Sequence, residues 1–522
     1  MKPVTTPTRR IAVIVLALLA LAALAALAAP QVWYPLWFDQ GAFAACAQAL
    51  RAGGVMYRDC WDVRGPAAAL AYLIPLLVSP SPVAIHAFDL LCQAATALLL
   101  GLLASRLFNR RAGVVAGVLY WLLYVSINYW AAAQAESFAN LFVVLALYVA
   151  MADLRLPIAD LRLRPARPLL VSNHDSDSVT SQSSLVNQQS AIDNRQSSIV
   201  NRQLLLCGAC VGVLFWFKYP FVLVGLLPLL LIVRRAKASP HSDVPSGVSL
   251  RALTSFGAGL LLVLALGVAY FAVNGALALA DWLAQVRYDL STFHQVSLAY
   301  RLEWFRTLFV EEALAFVSFG NTPTAGFKDT VTQVSVLGRG FPFVFLLMAI
   351  STLFGLARRA TRAPTLYALG YFALTVGLCL WQGHFYRYHF LIVLPALALL
   401  ASNAEWKLEI GEVGSGREVR GQKSEVTSER SEARSTIQDT NTNRHSSINN
   451  RQSLIFQFSN SLLSVLLLLA TVVGLVAAVW PWTRDALENA LMQRKPAEAL
   501  YLESKQAPDL LVARALNAQS AP

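Results

Sequence analysis

Ile11-Ala12-Val13-Ile14-Val15-Leu16-Ala17-Leu18-Leu19-Ala20-Leu21-Ala22-Ala23-Leu24-Ala25-Ala26-Leu27-Ala28-Ala29 is an unbroken apolar run. At roughly 19 residues and about 1.5 Å per residue it is long enough to cross the hydrocarbon of a bilayer. A stretch dense in charge follows at once: Asp39-Gln40-Gly41, Tyr57-Arg58-Asp59 and Trp61-Asp62-Val63-Arg64-Gly65-Pro66. Charge is costly to place in lipid, so this loop belongs at the membrane–water interface, where it can do chemistry. Lys2, Arg9 and Arg10 before the run and Leu27-Ala28-Ala29 at its end also fit a secretory signal peptide. The run exceeds the usual apolar core of such peptides, so we read it as an uncleaved span.

The rest of the chain has the same character. It is 56% hydrophobic and 14% charged, against about a quarter charged in soluble domains. Mean hydropathy is +0.52. Apolar runs fall at 11–29, 83–105, 112–129, 134–151, 204–217, 219–233, 252–274, 340–357, 364–381, 387–402 and 460–480. The expected fold is therefore all-α: a polytopic bundle of about eleven transmembrane helices, with outward-facing juxtamembrane helices in the first loop. The run 67–79 is short and contains Pro75; it reads as a half-inserted helix, with a twelfth span as the alternative.

Net charge is +12, but the excess sits in short clusters between spans, as orientation signals do, and not in a nucleic-acid surface. Arg9-Arg10, Arg106/Arg110/Arg111, Arg155 to Arg167, Arg234-Arg235-Lys237 and Arg358-Arg359-Arg362 share one side, which is cytoplasmic. The N-terminus then lies in the cytoplasm of a multi-pass cytoplasmic-membrane protein, and loops 30–82 and 275–339 and the turn 382–386 face outward. The organisation expected is a catalytic module over 1–402, a polar insert over 403–459, a last helix at 460–480 and an outward tail at 481–522. A second insert lies at 172–203. Both inserts are rich in Ser, Asn, Gln and Arg and should be disordered, because they bury too little apolar surface to offset ordering entropy.

A charged site at the interface offers two kinds of chemistry: a carboxylate can take a proton, and cations can neutralise an anionic group. Asp39 follows an aromatic belt, Trp33, Tyr34, Trp37 and Phe38, that sets its depth at the headgroups. Capping of a short helix is its other reading. Asp59 and Asp62 are spaced to share one face of a helical turn, or to form local ion pairs with Arg58 or Arg64. Lys218, with Tyr219-Pro220 behind it, separates two runs too short to span comfortably, and an ionisable residue there is a functional candidate unless it snorkels. Gln382-Gly383-His384-Phe385-Tyr386-Arg387-Tyr388-His389-Phe390 adds Arg387, His384 and His389 as phosphate or sugar ligands, or as interfacial anchors. Glu136 points into a cavity or caps a hydrated helix end; His86 and Asp89 read as interface residues. Cys46 and Cys60 face the oxidising side and could form a disulfide, though two free thiols are the favoured reading. Cys207 and Cys210 read as packing residues.

The arrangement Asp39, Gly53-Gly54, Tyr57-Arg58-Asp59 and Arg64-Gly65-Pro66 resembles the first outward loop of the C-type (GT-C) membrane glycosyltransferases, in the branch like the protein mannosyltransferases and aminoarabinose transferases. The resemblance covers residues 30–110. Gln40 stands where that branch often has a second acid, and Arg64 replaces its usual Lys. It implies an inverting transferase with Asp39 as the catalytic base. Asp59, Asp62, Arg58, Arg64, Glu136, Lys218, His384, Arg387 and His389 then bind substrate. The partners implied are a polyprenyl-phosphate sugar donor, a lipid, glycan or protein acceptor, and membrane lipids, with no nucleic acid. No cofactor is required by the pattern; a divalent metal is compatible with it, though no metal motif is present. The rival expectations are a secondary transporter or lipid-linked-saccharide flippase and a noncatalytic membrane subunit. No Walker or Rossmann glycine pattern appears, which argues against an ATP-driven pump or a nucleotide-sugar enzyme.

Overall fold

A computed structural model of the chain describes residues 7–33, 36, 38–62, 64–126, 131–153, 201–237, 247–293, 297–306, 340–382, 387–403 and 464–476. Among these residues the architecture is helical, and the only β pairing is an isolated bridge between Met56 and Cys60. In chain order the helices are α1 (Pro7–Ala28), α2 (Phe38–Arg51), α3 (Pro66–Val78), α4 (Pro82–Leu107), α5 (Arg110–Val125) and α6 (Ala135–Asp153). They continue with α7 (Asn201–Phe217), α8 (Leu226–Lys237), α9 (Gly247–Val273), α10 (Ala276–Phe293) and α11 (Leu298–Arg306). The last are α12 (Gly340–Ala357), α13 (Arg359–Gln382), α14 (Leu394–Ala401) and α15 (Ser464–Val476). Three 3-10 segments, Ala29–Trp33, Tyr219–Gly225 and Arg387–Val393, join or extend them.

Each apolar run read from the sequence is helical over nearly the same residues. Among the described residues four helices are long and apolar enough to cross a membrane, and seven shorter apolar helices of 10–17 residues accompany them. α3 is one of the shorter ones. It buries Ala68, Ala69, Tyr72 and Leu76 and leaves Leu70, Ile74 and Leu77 exposed, an apolar outer face beside the charged loop. α1 exposes Leu16, Leu18, Leu19 and Leu21 and is tied to α5 by two side-chain bonds: Trp121 Nε1 to the Leu24 carbonyl at 3.0 Å and Gln31 Nε2 to the Val125 carbonyl at 2.9 Å.

Small residues let the backbones approach closely, as helix packing in lipid requires where no hydrophobic drive separates helix from tail. A methyl on Gly113 of α5 would lie 2.5 Å from the Gly101 carbonyl of α4. Gly208 of α7 and Gly259 of α9 make an equivalent crossing, where a methyl on either would lie 1.9 Å from a carbonyl on the other helix. Cys207 and Cys210 lie buried at this crossing as packing residues.

Two boundaries differ from the sequence reading. Residues 201–203 belong to α7 rather than to the polar insert, and Asn403 is buried, its Nδ2 donating to Thr365 Oγ1 at 2.7 Å. The inserts over 172–200 and 404–459 and the tail 481–522 lie outside the described residues. The loop over 275–339 is described to Arg306; its Tyr288 ring meets Trp61 of the first loop at 6.1 Å, edge to face.

Candidate active site

Helix ends and helix breaks converge on one point. Asp39 sits in the first turn of α2, where a carboxylate is favoured by the helix dipole, but its Oδ2 is taken by Arg64 Nη2 at 2.9 Å. Helix capping is therefore not its main engagement. Arg64 is fixed from every side. Its Nη2 also donates to Tyr388 Oη at 2.9 Å, and its guanidinium lies 4.8 Å over the Phe43 ring and 5.4 Å over that of Tyr388. Its amide donates to Asp62 Oδ1 at 2.8 Å, and its carbonyl accepts from Tyr57 Oη at 2.7 Å. A guanidinium suits this role, since its planar fork bonds and stacks at once.

Gly65 explains how the loop comes so close. A methyl there would lie 2.0 Å from the Trp216 carbonyl, so only glycine lets the loop press against the end of α7. α7 ends at Phe217, and Lys218 follows with an extended backbone (φ −152°, ψ 127°) before the 3-10 segment that Tyr219-Pro220 begins. Lys218 Nζ pairs with Glu136 Oε1 and donates to Gln382 Oε1 at 2.8 Å. It also faces the rings of Phe221 and Tyr388, at 5.9 and 6.0 Å. Lys218 thus does not snorkel: it is turned inward. Glu136 is wholly buried at the start of α6, which corrects the reading of a hydrated helix end. His389 Nε2 lies 3.8 Å from the same Glu136 oxygen.

The two acids at 59 and 62 part company instead of sharing a helical face. Residues 57–59 form a turn, with Tyr57 in the left-handed region (φ 69°), and 60–62 are not helical. Asp59 is exposed and pairs with Arg58 at 2.8 Å, which, together with the Val55 N–H, holds its pKa below the usual carboxylate range. Asp62 is buried beside Arg64, and burial raises its pKa against the pull of that cation. Arg58 and Asp59 are therefore a local surface pair, while Asp62 belongs to the site.

Cys46 and Cys60 are free thiols rather than a disulfide. Arg387 opens the segment Arg387–Val393; its side chain lies outside the described residues, as does all of His384. No group of three or more metal-ligating side chains occurs among the described residues.

Exposure separates the roles. Of the ion-paired carboxylates here, Asp39 keeps 22% of its side chain open, against 5% for Asp62 and 0% for Glu136; Lys218 keeps 11%. Asp39 is the most accessible of these three carboxylates. Glu136 Oε2 and Gln382 Nε2, both buried against Lys218, have no hydrogen-bond partner among the described residues, an acceptor and a donor free for a polar ligand.

The sequence reading gave no role to Gln382, Tyr388 or Gln93. The first two lay inside the cluster quoted above, hidden by the louder Arg and His beside them. Asp89 and His86 were read as interface residues but are fully buried in α4. The signal was there: Asp89, Gln93 and Thr96 recur at helical spacing on one face of an apolar helix.

No protein-family model matches the chain, and no curated protein matches it. Solved structures of the Archaeoglobus fulgidus oligosaccharyltransferase are similar to it. The archaeal oligosaccharyltransferase AglB in complex with an inhibitory peptide and a dolichol-phosphate is 14% identical, with a TM-score of 0.44, over 93% of this chain and 59% of that one. The enzyme tethered to an acceptor peptide containing the NVT sequon is 14% identical, with a TM-score of 0.44, over 89% and 55%. The apo form is 14% identical, with a TM-score of 0.42, over 94% and 60%. The chain spans less than two thirds of the length of these structures.

Proposed function

We propose that this chain is an integral-membrane, inverting glycosyltransferase that moves a sugar from a polyprenyl-phosphate carrier to an acceptor hydroxyl. The observation that carries the reading is the meeting of Asp39 and Arg64 with Glu136, Lys218, Gln382, Tyr388 and His389, drawn from five separate parts of a membrane-type chain. Asp39 takes the proton of the acceptor hydroxyl. The hydroxyl oxygen attacks the anomeric carbon as the carbon–oxygen bond to phosphate breaks, and the electron pair leaves with the phosphate. Lys218 and Arg64 offset the charge that develops there. Glu136 holds Lys218 in place between turnovers, and Asp62 does the same for Arg64. The side of the membrane follows from the charge pattern, which makes the outward face of the cytoplasmic membrane the expected location.

A second reading, a lipid-linked-saccharide flippase, has one observation in its favour. Both Tyr219–Gly225 and Arg387–Val393 are 3-10 breaks running into short α-helices, the paired interruption that transporters place at a substrate site. The test is incubation of purified full-length protein, in liposomes, with a panel of radiolabelled polyprenyl-phosphate sugars. Label moved to an acceptor supports the transferase. Label that changes leaflet while still on its carrier supports the flippase.

A further inference from the structure

Behind the ion pairs lies a second polar system that the proposed chemistry does not use. Asp89 of α4 is buried among α4, α5 and α6. Its Oδ2 accepts from Tyr124 Oη and, at 3.2 Å, from the Ala133 amide; its Oδ1 accepts from Gln93 Nε2 at 2.9 Å. Ala133 is a non-glycine residue in the left-handed region (φ 51°), a conformation that side chains resist. The turn around it is gripped on all sides. Tyr72 of α3 donates to the Ala133 carbonyl at 2.7 Å, Gln40 of α2 donates to the Ala132 carbonyl, and Gln93 Nε2 donates to the Ser137 carbonyl at 3.1 Å.

Glu136 stands three residues beyond Ala133. The network also runs the other way. Gln93 Oε1 accepts from Tyr120 Oη at 2.5 Å, Asn140 Nδ2 donates to Tyr120 Oη at 3.3 Å, and the same Nδ2 donates to the Leu391 carbonyl at 2.9 Å. Leu391 lies in the segment that carries Tyr388 and His389.

We propose that Asp89 is a positioning residue: by holding Ala133 in its left-handed turn it sets Glu136 against Lys218, and through Gln93, Tyr120 and Asn140 it ties that pair to the Tyr388–His389 segment. The role bears on catalysis only through the glycosyltransferase reading above, but the placement can be tested without it. Glycine adopts positive φ freely. If Asp89 acts by enforcing the conformation of Ala133, Ala133→Gly should make it partly dispensable.

The experiment compares wild type, Asp89→Ala, Ala133→Gly and Asp89→Ala/Ala133→Gly as full-length protein in detergent. Zero-length carbodiimide coupling of Glu136 to Lys218 is read by mass spectrometry as a crosslinked peptide pair. Binding of undecaprenyl phosphate is measured on the same samples. Wild type and Ala133→Gly should couple equally. Asp89→Ala should lose coupling and affinity by roughly 10- to 100-fold, the scale at which a misplaced group is felt. The double variant should regain most of both. If Asp89→Ala does not assemble, Tyr124→Phe, which removes the phenol between Asp89 and the Ala133 amide, takes its place in the same pair. A merely structural Asp89 predicts no rescue by glycine, and that result overturns the proposal. So does equal coupling in Asp89→Ala and wild type, or no coupling in any of the four. Coupling that follows the expected pattern in protein that never binds polyprenyl phosphate supports the positioning role and overturns the functional reading instead.

Discussion

Arg64 donates to Asp39 across 2.9 Å, and this one bond joins the start of α2 to the loop that ends at α3. It also poses the sharpest question about Asp39, which is either the base or the counterion of Arg64. Asp39→Asn keeps the shape and an acceptor oxygen for the guanidinium, so the bundle should assemble. Loss of a general base costs about a hundredfold to ten-thousandfold in rate. We expect kcat to fall on that scale with donor KM little changed. Near-normal turnover in folded protein would leave Asp39 as a counterion alone.

The Lys218–Glu136 pair predicts a different pattern. Removing one partner of a buried pair strands the other charge, at about 3–5 kcal/mol. Lys218→Met should therefore lower thermal stability steeply, and Lys218→Met/Glu136→Gln should recover most of it without recovering transfer. Lys218→Arg should restore part of the transfer rate and of the donor affinity, because the charge remains. A double variant that stays as unstable as the single one would mean that Lys218 is held by something other than Glu136.

How far the sequence reached follows from which signals are local. Helix positions were legible because apolar runs of fixed length admit few other structures in lipid. Asp39, Arg64 and Lys218 were legible because a charge beside or between such runs is anomalous wherever it ends up. Their pairing was not, since Arg64 and Tyr388 are 324 residues apart and nothing local marks their contact. For Asp59 and Asp62 the shared helical face fails because Tyr57 turns the chain with positive φ, while the other reading, local ion pairs with Arg58 and Arg64, is the one the structure shows. Asp89 was hidden by its apolar surroundings, which were taken as a reason to move it to the interface rather than to seek partners for it.

Asp62 gives a pH prediction with a definite sign. Burial raises its pKa above 3.8, so the folded protein favours its protonated form. That contribution is fully present below 3.8 and is lost as pH rises through the raised value. Asp62→Asn keeps an oxygen for the Arg64 amide and does not titrate. Melting curves measured across that window should show the variant gaining on wild type as pH increases. A difference that stays constant with pH would mean that Arg64 fully compensates the burial.

The first-loop thiols should differ in reactivity. The Cys46 thiol is pushed up by its hydrogen bond to Cys60 and by burial, and the same bond pulls Cys60 down. Thiolate is the reactive form, and Cys60 is also the less buried of the two. Maleimide should label Cys60 well before Cys46, as peptide mapping over time will report. Earlier labelling of Cys46 would contradict this hydrogen-bonded arrangement.

Gly65 offers the test that reaches the whole site through one methyl group. A Cβ there would lie 2.0 Å from the Trp216 carbonyl, and backbone is not a neighbour that can swing aside. Gly65→Ala must therefore push the loop off the end of α7. The loop carries Arg64 and the helix leads to Lys218, so the two cations of the site would move apart. Displacement of about 1 Å can cost on the order of a hundredfold in rate. We expect transfer to fall by at least that much, with a smaller effect on assembly, because Arg64 and Asp39 can shift together on one side of the gap. Pro66 at the start of α3 limits the alternatives: its fixed φ leaves the chain little freedom to absorb the methyl further along. Wild-type transfer by folded Gly65→Ala would show that the close approach of loop and helix is incidental, and that Arg64 and Lys218 do not act as one clamp.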